Sequence, residues 1–148
     1  MVLVTERLIP VKFVFLMCNV FLFIVCAYHR DANISRGLGD EASQQDWDEA
    51  KKSVQVCAAL GVVLLVLELG LLVAGLTLFF NQTSVVRKNH PEILLHCFGI
   101  VFLSWYVLEE WAYGLLWAIW VFIALIPFLL DVLAIVNHRF LLKPRKSW

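Results

Sequence analysis

The chain has 148 residues, of which 61% are hydrophobic and 16% charged, whereas about 25% of the residues in soluble domains are charged. Its formal net charge at pH 7 is zero, so its overall charge gives no reason to expect nucleic acid or an acidic macromolecule as a partner. The composition predicts a small integral membrane protein and excludes an ordinary soluble domain.

The first apolar run covers about residues 11–28, follows Arg7 and is interrupted by Lys12 and Asn19. We interpret it as a retained signal anchor, with Lys12 snorkelling to the lipid head groups. A cleaved signal peptide is the alternative, because Val25 and Ala27 fit a small-residue cleavage pattern. The length of the run favours the anchor, since the apolar region of a signal peptide has roughly 7–15 residues.

Residues 29–53 form a polar segment, which we predict to be the outer loop. Ser43 followed by Asp46 resembles a capping box, so the second helix should begin with water-exposed turns before it enters the bilayer. The sequon Asn33-Ile34-Ser35 makes Asn33 a candidate glycosylation site close to the membrane surface.

The second span, about residues 54–80, is the longest apolar run and carries Glu68 near its middle. Gly61, Glu68 and Gly75 are seven residues apart, which places them on one stripe of a helix. Small residues let helix backbones approach closely in lipid, so this stripe predicts a packing surface around a polar centre. A role in transport or catalysis is the alternative for Glu68.

The third and fourth spans cover about residues 93–111 and 114–136. Pro91 is expected to start the third helix, and Pro127 to kink the fourth. Aromatic side chains surround Glu109 and Glu110, as in the aromatic belt at a membrane interface. They are Trp105, Tyr106, Trp111, Tyr113 and Trp117.

Ionisable residues inside the predicted spans need partners, because lipid offers none. Counted from the inner ends of their helices, His96 and Asp131 lie at similar depth, so we predict that they are in contact. Glu68 lies deeper, where Ser104 is the closest polar residue. The alternative is a proton or cation path through His96, Asp131 and Glu68.

Basic residues predict the orientation of a four-helix bundle. The N-terminal segment, the link 81–92 and the C-terminus together carry eight Lys and Arg residues, against four in the two remaining loops. Both termini are therefore predicted to be cytoplasmic. We find no catalytic motif, metal-ligand spacing or phosphate-binding loop, so no enzyme activity, catalytic residue, metal or cofactor is expected.

The order and spacing of residues along nearly the whole chain resemble the transmembrane protein 107 family. The pattern begins with Arg30-Asp31-x-Asn33-Ile34 and continues in the second span with Ala58-Ala59-Leu60, Glu68-Leu69 and Gly75, closed by Phe80-Asn81. In the last two spans it includes His96-Cys97, Ser104, Glu109-x-Trp111, Ala124-Leu125-x-Pro127 and an acid at position 131. The chain departs from the family in a longer 81–92 link and in aspartate rather than glutamate at position 131.

This resemblance implies an all-α membrane protein of the ciliary transition zone with no enzyme activity. Members of the family act within the Meckel syndrome module, with tectonic and B9-domain proteins. There they help assemble the gate that controls which membrane proteins enter the cilium, and so support cilium biogenesis. The resemblance therefore favours a membrane scaffold, and a small ion- or proton-coupled transporter is the alternative. The protein is expected to lie in a lipid bilayer, and no nucleic acid is expected as a partner.

Overall fold

A computed structural model describes the backbone of residues 2–39, 41–74 and 82–141, and the side chains of residues 9–39, 41–74 and 91–136. Within these ranges the chain is helical and contains no strand. The helices are α1 (Val2–Tyr28), α2 (Arg30–Leu38), α3 (Gln44–Val73), α4 (Gln82–Leu108), α5 (Leu115–Trp120) and α6 (Ile126–Leu141), with a π-helical segment at Val121–Leu125.

The predicted four-span fold is confirmed in the part of the chain that the structure describes. Four stretches are long and apolar enough to cross a membrane, namely Ile9–Tyr28, Gln44–Val73, Pro91–Leu108 and Leu115–Val136. Each is predominantly apolar over at least 18 residues, close to the about 20 needed to cross a hydrocarbon core of about 30 Å. Helix α1 packs mainly against α3 and α4, which places it at the centre of the described contacts.

Each long helix turns one narrow stripe toward the interior. The buried positions alternate at spacings of three and four residues, which keeps them on one face of a helix. On α1 they are Lys12, Leu16, Asn19, Phe23 and Cys26. On α4 they include Glu92, His96, Leu103 and Tyr106. Apolar side chains on the other faces are exposed, as expected of a bundle surrounded by lipid.

Helix α3 begins ten residues before the predicted apolar span. The Ser43 hydroxyl accepts a hydrogen bond from the Asp46 backbone N–H, and the Asp46 carboxylate accepts one from the Ser43 N–H, so the predicted capping box is confirmed. A helix of 30 residues is about 45 Å long, more than the hydrocarbon core needs, so its first turns extend beyond it. Its described part ends at Val73, so Gly75 lies outside the described residues.

Two predicted boundaries of the third span are wrong. Pro91 does not start a helix but lies inside α4, which already begins at Gln82. The helix ends at Leu108 rather than at Trp111, because Glu110 adopts a left-handed backbone with φ 50° and turns the chain. The Trp111 N–H then donates to the Tyr106 carbonyl oxygen at 3.2 Å and closes this turn.

The predicted effect of Pro127 takes the form of a π-helical segment that ends two residues before it. Proline has no N–H, and its ring would collide with the Ile123 carbonyl four residues earlier in a regular helix. The Ile126 N–H instead donates to the Val121 carbonyl, five residues back. This wider turn absorbs the misfit, as π-helical turns within α-helices commonly do.

The predicted outer loop is largely helical and forms a cap on one end of the bundle. We use "cap" for α2 together with the turn of residues 109–114. The Tyr113 N–H donates to the Asn33 carbonyl oxygen at 3.1 Å, joining the two parts. A Cβ atom on Gly37 would lie 2.6 Å from the Tyr113 ring, so α2 packs closely against this side chain. Short packing contacts therefore hold the polar segment onto the bundle.

Candidate functional site

The described interior contains one group of ionisable side chains that meet from all four spanning stretches. We call it the interior ion cluster, formed by Lys12, Glu68, His96, Glu92 and Asp131. The Lys12 Nζ lies 3.0 Å from Glu68 Oε1, 2.7 Å from Glu92 Oε2 and 3.4 Å from Asp131 Oδ2. All five residues are at most 1% exposed, so the cluster lies in a medium of low dielectric constant.

Three helices place these side chains at the same distance from the cap. Lys12 lies 16 residues from Tyr28, Glu92 16 residues from Leu108 and Asp131 16 residues from Leu115, and these are the helix ends beside the cap. At about 1.5 Å per residue, each position is about 24 Å along its helix from that end. The cluster therefore lies toward the end of the bundle opposite the cap.

His96 and Asn19 connect the interior ion cluster with the contact between α1 and α4. His96 Nε2 lies 3.0 Å from Glu68 Oε1, the oxygen that also faces Lys12. The Asn19 amide donates to the backbone carbonyl oxygens of Phe15 and His96, both at 2.9 Å. A Cβ atom on Gly99 would lie 2.6 Å from Asn19 Oδ1, so a glycine is needed for this approach.

Among the described residues, one ammonium group faces three carboxyl groups from three other helices. Each buried carboxyl group requires such partners, because buried charge without compensation is costly. Oxygens of Glu68, Glu92 and Asp131 lie within 4.8 Å of one another, a spacing that could hold a metal ion. The Lys12 ammonium group lies within 3.4 Å of all three carboxyl groups and occupies the space between these oxygens.

The structure corrects two predictions about these residues. Lys12 does not snorkel to the head groups, because its side chain is buried and turned toward three carboxylates on other helices. Glu68 pairs with Lys12 and His96 rather than with Ser104. His96 and Asp131 both belong to the cluster at the predicted end, but the recorded partners are Glu68 for His96 and Lys12 for Asp131. Direct contact between His96 and Asp131 stays a prediction.

Sequence reasoning missed Lys12 and Glu92 as members of the site. Both lie at the beginning of an apolar run, where a charged side chain usually reaches water. A signal was nevertheless present, because Lys12, Asn19 and Cys26 are seven residues apart, as are Glu92, Gly99 and Tyr106. This spacing puts each set on a single helix face, and the structure buries all six positions.

Asn33 joins the two parts of the cap and is a poor glycosylation site. Its side-chain amide donates to the carbonyl oxygens of Tyr106 and Trp111, both at 2.8 Å, and the residue is 1% exposed. A glycan would replace one of these amide hydrogens and would need space that the cap occupies. The structure therefore argues against the predicted modification and gives Asn33 a structural role.

The predicted packing stripe on α3 is present in its described part. Gly61 and Glu68 are both buried on the interior face. A Cβ atom on Gly61 would lie 2.9 Å from a ring carbon of Phe23, so α1 and α3 come close together there. One member of the predicted aromatic belt does not belong to it, because Tyr106 lies on the interior stripe of α4 and is fully buried.

The fold and the site define a multi-pass integral membrane protein whose buried charges are paired between helices. The family model described as "TMEM107: Transmembrane protein" matches residues 8–135, and the chain belongs to this family. The predicted membership is thereby confirmed.

Curated relatives are similar over most of the chain. Transmembrane protein 107 of Homo sapiens is 30% identical over 122 residues, covering 81% of this chain and 82% of the human protein. Transmembrane protein 107 of Danio rerio is 22% identical over 136 residues, covering 92% of this chain and 97% of that protein. The Mus musculus protein of the same name is 24% identical over 120 residues, covering 81% of this chain and 82% of the mouse protein. No solved structure matches the chain.

Proposed function

We propose that this protein is a non-enzymatic membrane scaffold of the ciliary transition zone. In this proposal it helps to assemble the gate that controls which membrane proteins enter the cilium, and so supports cilium biogenesis. Its partners are other transition-zone membrane proteins, including the tectonic and B9-domain proteins of the Meckel syndrome module. The observation that carries the proposal is the family match over residues 8–135.

The arrangement of the polar residues is compatible with this role. Lys12 faces carboxylates from three other helices, and buried polar contacts of this kind fix how membrane helices associate. The exposed surface of the spans is rich in large apolar side chains, including Phe21, Phe98 and Phe122, which lipid or the helices of partners can cover. These features suit a protein that works by packing.

Localisation tests the proposal directly. The chain, tagged at its endogenous locus, should form a focus at the ciliary base that overlaps a transition-zone marker. Cells lacking the protein should lose part of their tectonic and B9-domain signal at that position and recover it when the chain is re-expressed. A tagged chain spread evenly over other membranes, with the partner signals unchanged by its loss, would contradict the scaffold.

A proton-coupled carrier is the second candidate, and the observation that favours it is that the interior ion cluster brings five buried ionisable groups together. Three carboxyl groups, one histidine and one lysine lie together at one end of the bundle, and buried ionisable groups of this kind often carry protons. A carrier should acidify or alkalinise proteoliposomes loaded with a pH-sensitive dye, and Glu68→Gln should abolish the change. The scaffold predicts no change for either chain.

A further inference from the structure

The structure contains an open groove between α1 and α3, away from the interior ion cluster. Its cavity volume is about 660 Å³, within the range of about 300–1,000 Å³ that is typical of small-molecule sites. The walls are apolar along most of their length, and Arg30 and Gln55 lie at one end. We propose that this groove binds one phospholipid, with its phosphate held by Arg30 and Gln55 and an acyl chain lying between α1 and α3.

Small side chains on α3 create the space for the acyl chain. Ala58 and Ala59 line the groove where larger residues would fill it. Near them, Gly61 lets the Phe23 ring approach α3 closely, and this ring forms part of the wall of the groove. From Gln55 to Val63 the lining follows α3 for eight residues, or about 12 Å. The groove is therefore long and narrow, and it lies along the span.

The polar end lies at the level of the lipid head groups. The apolar span of α1 ends at Tyr28, and Arg30 begins the next helix two residues later. The Arg30 Nη1 donates to the Ala27 carbonyl oxygen at 2.8 Å, which holds the guanidinium beside the groove. Its Nε is buried and has no hydrogen-bond partner among the described residues.

Charge complementarity makes a phosphate the matching group. A guanidinium donates strong, charge-assisted hydrogen bonds to phosphate oxygens. The side chain of Gln55, which is exposed at the same end, supplies a further donor. In a bilayer the molecule that presents a phosphate at this depth, with an apolar chain below it, is a phospholipid.

The polar end of the groove favours a lipid over a helix from a partner protein as its occupant. Arg30 and Gln55 lie at the end of an otherwise apolar groove, and a phospholipid offers an anionic group directly above an apolar chain. The apolar face of a spanning helix would match the walls but would leave the guanidinium without an anionic partner. The proposal therefore concerns a lipid and is independent of the partners named above.

Native mass spectrometry of the full chain in detergent tests the proposal with two probes. They are palmitoyl-oleoyl phosphatidylcholine and the diacylglycerol with the same acyl chains, which lacks the phosphate. We expect one bound phosphatidylcholine per chain and about tenfold weaker binding of the diacylglycerol, as the loss of a charge-assisted hydrogen bond implies. Equal binding of the two probes would overturn the proposal, as would displacement of the phospholipid by cholesterol.

Two variants with matched controls locate the site. Arg30→Gln should weaken phosphatidylcholine binding about tenfold without affecting the diacylglycerol, while the exposed Arg36→Gln on the same helix should change neither. Ala59→Trp should fill the groove and abolish binding of both probes, while Val66→Trp, on an exposed position outside the groove, should not. If Arg30→Gln, shown to be monodisperse and helical, binds phosphatidylcholine like the unmodified chain, the proposal is wrong whatever Ala59→Trp does.

Discussion

At the scale of single residues, Lys12 and Glu92 lie near the ends of their apolar runs, where either water or a buried partner could receive a charged side chain. In the structure both are buried, and the Lys12 Nζ lies 2.7 Å from Glu92 Oε2. The rotation of each helix against its neighbours decides between water and a partner, and packing between segments distant in sequence sets that rotation. The sequence therefore indicates that Glu68, His96 and Asp131 need partners inside the membrane without indicating which partners they have.

Lys12→Met should destabilise the bundle strongly. The substitution removes the ammonium group that faces Glu68, Glu92 and Asp131, so each of these buried carboxyl groups loses an ionic partner. Breaking a buried ion pair by removing one partner costs about 3–5 kcal/mol. The free energy of unfolding, measured by SDS titration in mixed micelles, should fall by that amount.

The exposed Lys52→Met is the matched control and should change the unfolding free energy by no more than about 0.5 kcal/mol. Adding Glu92→Gln to Lys12→Met should recover part of the loss, because it removes the charge of one carboxyl group that faced the ammonium group. Equal stability of Lys12→Met and Lys52→Met would show that Lys12 does not pair inside the bundle.

Asn33 should carry no glycan, despite its sequon. Both hydrogens of its amide are donated to backbone carbonyl groups, and the side chain is buried between the two parts of the cap. Treatment with a glycosidase that removes N-linked glycans should leave the mobility of the chain unchanged. Glu41→Asn creates the sequon Asn-Ala-Ser at an exposed position in the same segment, so that variant should shift if the segment faces the lumen. A shift of the unmodified chain that Asn33→Gln removes would contradict the buried position of Asn33.

At the scale of elements, the apolar runs predict the number of spanning helices, since a helix needs about 20 apolar residues to cross the hydrocarbon core. The helix ends were harder to predict, because tertiary contacts decide them. α4 ends three residues early at a turn to which Asn33 is hydrogen-bonded, and that residue lies more than 70 positions away in the sequence. The π-helical segment likewise combines a local cause, Pro127, with an outcome that the sequence alone does not specify.

Two glycines on α3 provide a test of which helix face packs. Gly61→Leu should destabilise the bundle by about 1–3 kcal/mol, because the new side chain would overlap the Phe23 ring at the contact between α1 and α3. Gly70 is exposed, and a Cβ atom there meets nothing within 4 Å, so Gly70→Leu should leave stability nearly unchanged. Unfolding by SDS titration compares the two variants in the same helix. A larger loss for Gly70→Leu than for Gly61→Leu would mean that α3 packs through another face.

At the scale of the whole molecule, the interior ion cluster and the cap lie at opposite ends of the described bundle and hold it together in different ways. The cluster joins all four spanning stretches through charge, whereas the cap joins α2 to the turn of residues 109–114 through backbone hydrogen bonds. Neither feature determines which end faces the cytoplasm. That assignment depends on the basic residues outside the spans.

Both termini should be cytoplasmic, with residues 29–53 on the opposite side. The structure changes the count on which this prediction rests, because a lysine buried in an ion cluster no longer anchors its segment to anionic head groups. Without Lys12 the terminal side still carries seven basic residues against four, so the predicted orientation is unchanged. In sealed membrane vesicles with the cytoplasmic face outward, a protease should remove epitope tags from both termini and spare a tag inserted after Glu41. The described spans are even in number, so the tags at the two termini should give the same result. Protection of both terminal tags together with loss of the inserted tag would show that the predicted orientation is reversed.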